Sequence, residues 1–180
     1  MSEKIILTAE MIQAAKDYIP IAMKETWVAD NAAKCFDKLA ITADGEQMPA
    51  MYMINDSLKA RYLMAAFVGL YLGAEYLADE KDPALMSAED YDRWAGSHVF
   101  NQIERMKHNQ DIRDKCFDML YDYRILEKRF HSYIIGLLTV QNDAVIRQNE
   151  MIANQMKALP ELLGQLKKLQ EKVEQDAESE

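Results

Sequence analysis

Cysteine, proline and glycine are all scarce in this chain, at 2, 4 and 6 residues in 180. Cys35 and Cys116 have no CxxC spacing and cannot form the framework of a disulfide-stapled scaffold. Both sit inside apolar helical patterns, so they read as buried, reduced thiols in a cytoplasmic protein. Few glycines and prolines leave little material for the turns between many short strands, which favours long helices. Basic charge is also in deficit: 21 Lys and Arg against 30 Asp and Glu give a net charge of −9. An acidic surface repels phosphate backbones, so direct non-specific nucleic-acid binding is not expected. The uncharged run 62–74 is shorter than the roughly 20 residues of a membrane span. MSEKIILTAE lacks the basic and apolar regions of a leader peptide, and Ser2 stands where a myristoylation signal needs Gly. No Gly-rich phosphate loop and no Gly-x-Ser-x-Gly elbow occurs, so no cofactor and no enzymatic activity is expected.

What is present is a hydrophobic fraction of 49%, ample for a core, and 12 Met, which pack irregular gaps and adaptable surfaces. Thr8 can cap a helix starting near Ala9, and Pro20 breaks it. A second helix is expected from Ile21 to Leu39, burying Ala22, Trp27, Cys35, Phe36 and Leu39. Residues 40–56 read as a long connection with a turn signal at Asp44-Gly45 and with Pro49 opposing regular pairing. Its Met48, Met51, Tyr52 and Met53 can pack the loop or offer an adaptable contact surface. Asp56 or Ser57 caps a helix reaching Ala78. It is apolar all round, with Ala65, Gly69 and Gly73 at steps of four, so it reads as a central helix approached closely by a neighbour. Ser87, with Asp90 three residues on, resembles a capping box ahead of a helix striped by Tyr91, Trp94, Val99, Ile103 and Met106.

Ile112, Cys116, Leu120, Tyr123, Leu126, Phe130, Ile134 and Leu137 then follow steps of three and four over seven turns, the strongest periodic signal in the chain. After Asn142-Asp143, two shorter stripes flank Pro160: Val145, Asn149, Ile152, Met156 and Leu159, then Leu162, Leu166, Leu169 and Val173. Each spans about two heptads. The expected fold is all-α, a five- to six-helix bundle around the helix at about 57–78. Residues 1–142 form the core domain, and residues 143–180 a C-terminal helical extension, able to oligomerise, with a frayed tail.

Three constellations bear on chemistry. Glu104 with His108, and Glu127 with His131, each offer an oxygen and a nitrogen one helical turn apart, as a metal site would need. Di-metal bundles use a spacing of three with further inward glutamates, and a spacing of four is an ordinary surface pair. Asp111, Asp114, Asp118 and Asp122 form an acidic stripe with about one charge per 4 Å of helix, against one per 1.7 Å of duplex DNA. Arg113 and Lys115 halve its net charge, and Lys115 can pair with Asp111. Arg124, Lys128, Arg129, Phe130 and Tyr133 could stack bases, but Phe130 already belongs to the buried stripe, so a basic rim is the simpler reading.

The segments AAKDYIPIAMKETWVADNAAKCFD (14–37), MPAMYMINDSLKARYLMAAFVGLYLG (48–73) and SAEDYDRWAGSHVFNQIERM (87–106) resemble small helical proteins of bacterial prophages and mobile elements. Among these, the resemblance is to anti-CRISPR proteins that inhibit the type II effector nuclease, over roughly residues 9–140. It implies a non-enzymatic protein that binds a large basic nuclease–guide RNA complex and hinders target DNA recognition or cleavage. The first 90 residues, with 15 acidic and 8 basic side chains, suit such a partner. Asp111, Asp114, Asp118, Asp122, Met48, Met51, Tyr52 and Met53 are then the expected contact residues. The alternatives are an assembly protein of a phage or mobile element that oligomerises through 143–180, and, third, a metal-binding bundle enzyme.

Overall fold

The computed structural model describes residues 4–43, 46–77 and 83–177, with the side chains of 40–50 and 169–177 left undescribed. Asp44-Gly45 lies outside the described residues. Helices α1 (Ala9–Ala14) and α2 (Ile21–Ala32) are followed by strands β1 (Phe36–Ala43) and β2 (Glu46–Ile54). Then come α3 (Asp56–Ala66), α4 (Ala88–Gly96), α5 (Val99–Met106) and α6 (Arg113–Ala177). The fold is mostly helical, and the pure all-α expectation is corrected by a two-stranded sheet. Among the described residues no helix is long and apolar enough to cross a membrane.

The hairpin replaces both the end of the expected second helix and the expected loop. α2 stops at Ala32, and a 3₁₀ turn over Ala33–Cys35 leads into β1. Ile41 and Thr42 are β-branched, and Asp44-Gly45 is the dipeptide favoured in two-residue hairpin loops. Pro49 fits in β2 because each strand of a two-stranded sheet has an unpaired edge. At its base the Asn55 amide donates to the Cys35 carbonyl at 2.7 Å. Asn55, rather than Asp56 or Ser57, caps α3 by accepting from the Leu58 amide at 2.9 Å.

The expected central helix is α-helical only to Ala66. Phe67–Leu72 form π turns, Gly73 turns the chain at φ 144°, and a 3₁₀ turn covers Ala74–Leu77. The π turns shift the period, so Gly69 and Gly73 do not share one face as a spacing of four would place them. Gly69 serves close packing: a methyl group there would stand 2.6 Å from the Leu77 Cδ1 atom. Gly73 serves backbone geometry, since its φ is in the region that side chains disfavour.

Thr8 caps α1 by accepting from Met11, and Ser87 caps α4 by accepting from the Asp90 amide at 3.1 Å. The expected single helix after Ser87 is two: Ser97 ends α4, and His98, at φ 54°, starts α5. Between them Ser97 Oγ and the Gln102 amide bind the backbone of Ile5 and Leu7 at 2.9 Å, holding the N-terminal segment as a strand would be held. α6 runs unbroken through Asn142-Asp143 and through Pro160.

The chain divides into two compact units. One comprises residues up to Asp37 with Met53–Leu138. Its core joins Ile12 and Ile19, Val28 and Cys35, Phe67, Val68 and Tyr71, and the α6 stripe from Cys116 to Ile134. Phe67, Phe100 and Tyr123 form an aromatic cluster, with ring centroids 4.6 to 5.2 Å apart. The other unit comprises Lys38–Tyr52 and Thr139–Glu180. There Asn142 accepts from the Tyr52 amide at 3.0 Å and donates to the Tyr52 carbonyl at 3.2 Å, fastening β2 to α6.

Candidate functional site

The core unit encloses a charged polar node. Lys24 on α2 and Asp122 on α6 are 2% and 5% exposed and pair directly through Nζ and Oδ1. The second carboxylate oxygen accepts from the Ile19 amide and from the Tyr71 hydroxyl, both at 2.9 Å. Burial, then the hydrogen bond to Asp122, push the Tyr71 hydroxyl well above the ordinary tyrosine range. A carboxylate that accepts three donors in a water-poor site is electrostatically satisfied. The node locks α2 and the π segment to α6. The core enclosing it gives it no face toward solvent, so its role is to position the surface elements.

Those elements expose two features. The first is a groove of about 770 Å³ between α2 and α6, lined by Glu25, Val28, Ala29, Ile125, Lys128 and Arg129 with Ser132 and Tyr133. Arg129 donates to Glu25 across its rim at 3.1 Å, and both ends are exposed, so the pair adds little stability. Beneath it Trp27 packs on Phe130 at 4.8 Å. Of the basic-aromatic cluster, Lys128, Arg129 and Tyr133 thus reach this groove. Phe130 is fully buried, and Arg124 turns toward Glu104 at 3.6 Å.

The second is the outer face of the first turns of α6. Asp114, Phe117, Asp118 and Tyr121 follow i, i+3, i+4 and i+7 and all are exposed, the two rings by 51% and 69%. Lys107 sits over the Phe117 ring at 4.2 Å. Asp111 is exposed just before the helix begins. The acidic stripe is corrected at both ends. Asp122 belongs to the buried node and cannot touch a partner. Lys115 donates to the Gln13 carbonyl at 2.6 Å instead of pairing with Asp111. The exposed aromatics Phe117 and Tyr121 lie between the carboxylates, and charge spacing alone does not reveal them. The spacing from Asp114 to Tyr121 was the signal that could have found them.

The Glu and His pairs do not converge. α5 ends at Met106, so His108 is not one helical turn from Glu104. Glu104 instead meets Lys107 at 2.5 Å and Arg124. His131 faces Lys59 at 3.3 Å, and Glu127 is exposed. Among the described residues no three His, Cys, Asp or Glu side chains form a metal-binding group. Both cysteines are buried, and burial raises their thiol pKa values, Cys35 to about 11. Neither is poised as a nucleophile at neutral pH.

In the second unit, Met51 and Tyr52 are half-buried and Met53, at the edge of the core unit, is 51% exposed, while the Met48 side chain lies outside the described residues. Lys38 Nζ stands 5.7 Å from the Tyr52 ring centre. Every side chain from Glu150 to Lys168 is exposed. No protein-family model, no curated protein and no solved structure matches this chain.

Proposed function

We propose that the chain is a non-enzymatic interaction protein that binds a basic macromolecular partner, specifically an inhibitor of a CRISPR effector nuclease that hinders target DNA recognition or cleavage. The observation that carries the interaction reading is the acidic-aromatic face of Asp114, Phe117, Asp118 and Tyr121. Exposed aromatic rings cost little side-chain entropy to immobilise and supply most of the energy at interface centres. Carboxylates around them speed encounter with a basic surface and set register. Choice of the nuclease as partner rests on the resemblance of segments 14–37, 48–73 and 87–106. A stripe with alternating aromatics is too sparse in charge to imitate duplex DNA, so the contact it supports is with protein in a basic groove.

Co-elution of the purified chain with the nuclease–guide RNA complex, with loss of target cleavage, is the expected result. Phe117→Ala/Tyr121→Ala should abolish both while leaving the fold intact, because neither side chain is buried. No co-elution together with undiminished cleavage would refute the nuclease reading. A second reading, an assembly protein that oligomerises through its C-terminal helix, is favoured by the uncovered stripe on α6 beyond Glu150.

A further inference from the structure

In the sequence the apolar stripes on either side of Pro160 look like separate two-heptad pieces. The unbroken α6 joins them in a different register, through Leu163 rather than Leu162. Val145, Asn149, Ile152, Met156, Leu159, Leu163 and Leu166 follow steps of 4, 3, 4, 3, 4 and 3. The same steps continue in sequence to Gln170 and Val173. Val145 and Asn149 are half-buried in the unit that holds the hairpin. From Ile152 on the seam is uncovered: Ile152, Met156, Leu159, Leu163 and Leu166 are 41, 55, 49, 56 and 62% exposed.

We infer that this seam is covered by a second copy of the chain, as a coiled coil centred near Pro160. This rests on the assembly reading above and is independent of the nuclease reading. A seven-residue step that runs from Ile152 to Val173, three heptads, is followed along its length by a helix with the same step. A groove on a globular partner engages an amphipathic helix through a few anchors at i, i+3, i+4 and i+7.

Three observations select this chain as the occupant. Pro160 lacks the amide that would bond to the Met156 carbonyl, so the helix is weakened and inclined to bend at that level. A copy paired about Pro160 carries the same weak point at the same level and can follow the same bend. Second, residues 145–173 carry five basic and three acidic residues, in a chain of net charge −9, so repulsion does not oppose self-pairing there. The residues flanking the uncovered seam are Ala153, Gln155, Pro160, Leu162 and Lys167, which set no like charges against each other. Third, the area suits a reversible dimer. The seam from Ile152 to Val173 spans about 33 Å, and a contact strip about 11 Å wide on each helix gives roughly 730 Å² in total. That is below the about 1,000 Å² of a stable interface and matches weak, reversible pairing. A lone exposed helix with Pro160 and Gly164 inside it also lacks the intrinsic stability to persist in water, and a partner helix supplies what is missing.

Sedimentation equilibrium of the full-length chain from about 1 to 200 μM tests this. The expected result is a concentration-dependent rise from the 20.7 kDa monomer toward twice that mass. Leu159→Asp/Leu166→Asp should weaken the dimer at least ten-fold. Asn154→Asp/Gln165→Glu, off the seam, should leave it unchanged. Circular dichroism should confirm that all variants keep the core helices, and the wild-type chain should gain helix content on dimerising. A monomer across the whole range, or an Asp double variant that still dimerises, would overturn the proposal. Nuclease binding by the Asp double variant should be unaffected, so failure of one reading is distinguishable from failure of the other.

Discussion

Replacing Asp122 by Ala should be among the most damaging single changes available to the core unit. Asp122 is the acceptor for the Lys24 ammonium, the Ile19 amide and the Tyr71 hydroxyl, and all of these are buried. Truncating one partner of a buried ion pair costs about 3–5 kcal/mol, because the remaining charge stays in a medium that solvates it poorly. The two orphaned donors would each add about 1–3 kcal/mol if independent. They share one site and one newly made cavity, so the sum is less than additive, and a total of about 4–6 kcal/mol is expected. Domain stabilities of about 5–15 kcal/mol make this a loss of roughly a quarter or more. Urea titration followed by near-ultraviolet circular dichroism, which reports aromatic packing rather than helix content, measures it. Asp122→Asn retains acceptor capacity for Tyr71 or Ile19 and should cost about 2 kcal/mol less than Asp122→Ala. Lys24→Met/Asp122→Leu removes both charges and should recover most of the ion-pair penalty. A cost below about 1 kcal/mol for Asp122→Ala would refute the claim that this node ties α2 and the π segment to α6.

Gly73→Ala should destabilise the core unit by about 1–3 kcal/mol in the same assay, since alanine must adopt φ 144° there. Asn142→Ala removes both hydrogen bonds to the Tyr52 backbone and should cost about 1–2 kcal/mol locally. Hydrogen exchange at the Tyr52 amide should then quicken about ten-fold, with amides of the core unit unchanged. Burial raises the Cys35 thiol from 9.0 to about 11. The unfolded chain therefore loses this proton first, so the stability is fully present below pH 9 and lost as pH rises toward 11. The loss is on the order of 2–3 kcal/mol at most, and Cys35→Ala should flatten the pH dependence in that window. Both thiols should resist a thiol reagent at pH 8 until denaturant is added, and rapid labelling of the native protein would contradict their burial.

How far the sequence revealed this structure differs by element, for physical reasons. The stripe from Ile112 to Leu137 was legible because its apolar residues recur at helical spacing over seven turns, and every one is buried or half-buried. The caps at Thr8 and Ser87 were legible because each side chain bonds only a few residues away. The hairpin was not. Its Met- and Ala-rich strands alternate weakly, and Pro49 argues against pairing. Lys24 was invisible because its partner lies 98 residues away, and burying a lysine makes sense only once that partner is known. Register alone hinted at it: Lys24 shares a helical face with Val28, Asn31 and Cys35, all buried. The same distant pairing removed Asp122 from the acidic stripe. Pro160 misled in the opposite direction. It usually ends a helix, and here it hid a seam that becomes continuous only when the helix passes through it.

The central claim is that the outer face of α6 between Asp114 and Tyr121 is a contact surface for a basic nuclease complex. Isothermal titration of the chain into the purified nuclease–guide RNA complex, at low and high salt, tests it most directly. Saturable binding is predicted, weakened by salt and reduced at least a hundred-fold by Asp114→Asn/Phe117→Ala/Asp118→Asn/Tyr121→Ala. Binding that the fourfold variant retains in full, or no binding by the wild-type chain, would contradict it.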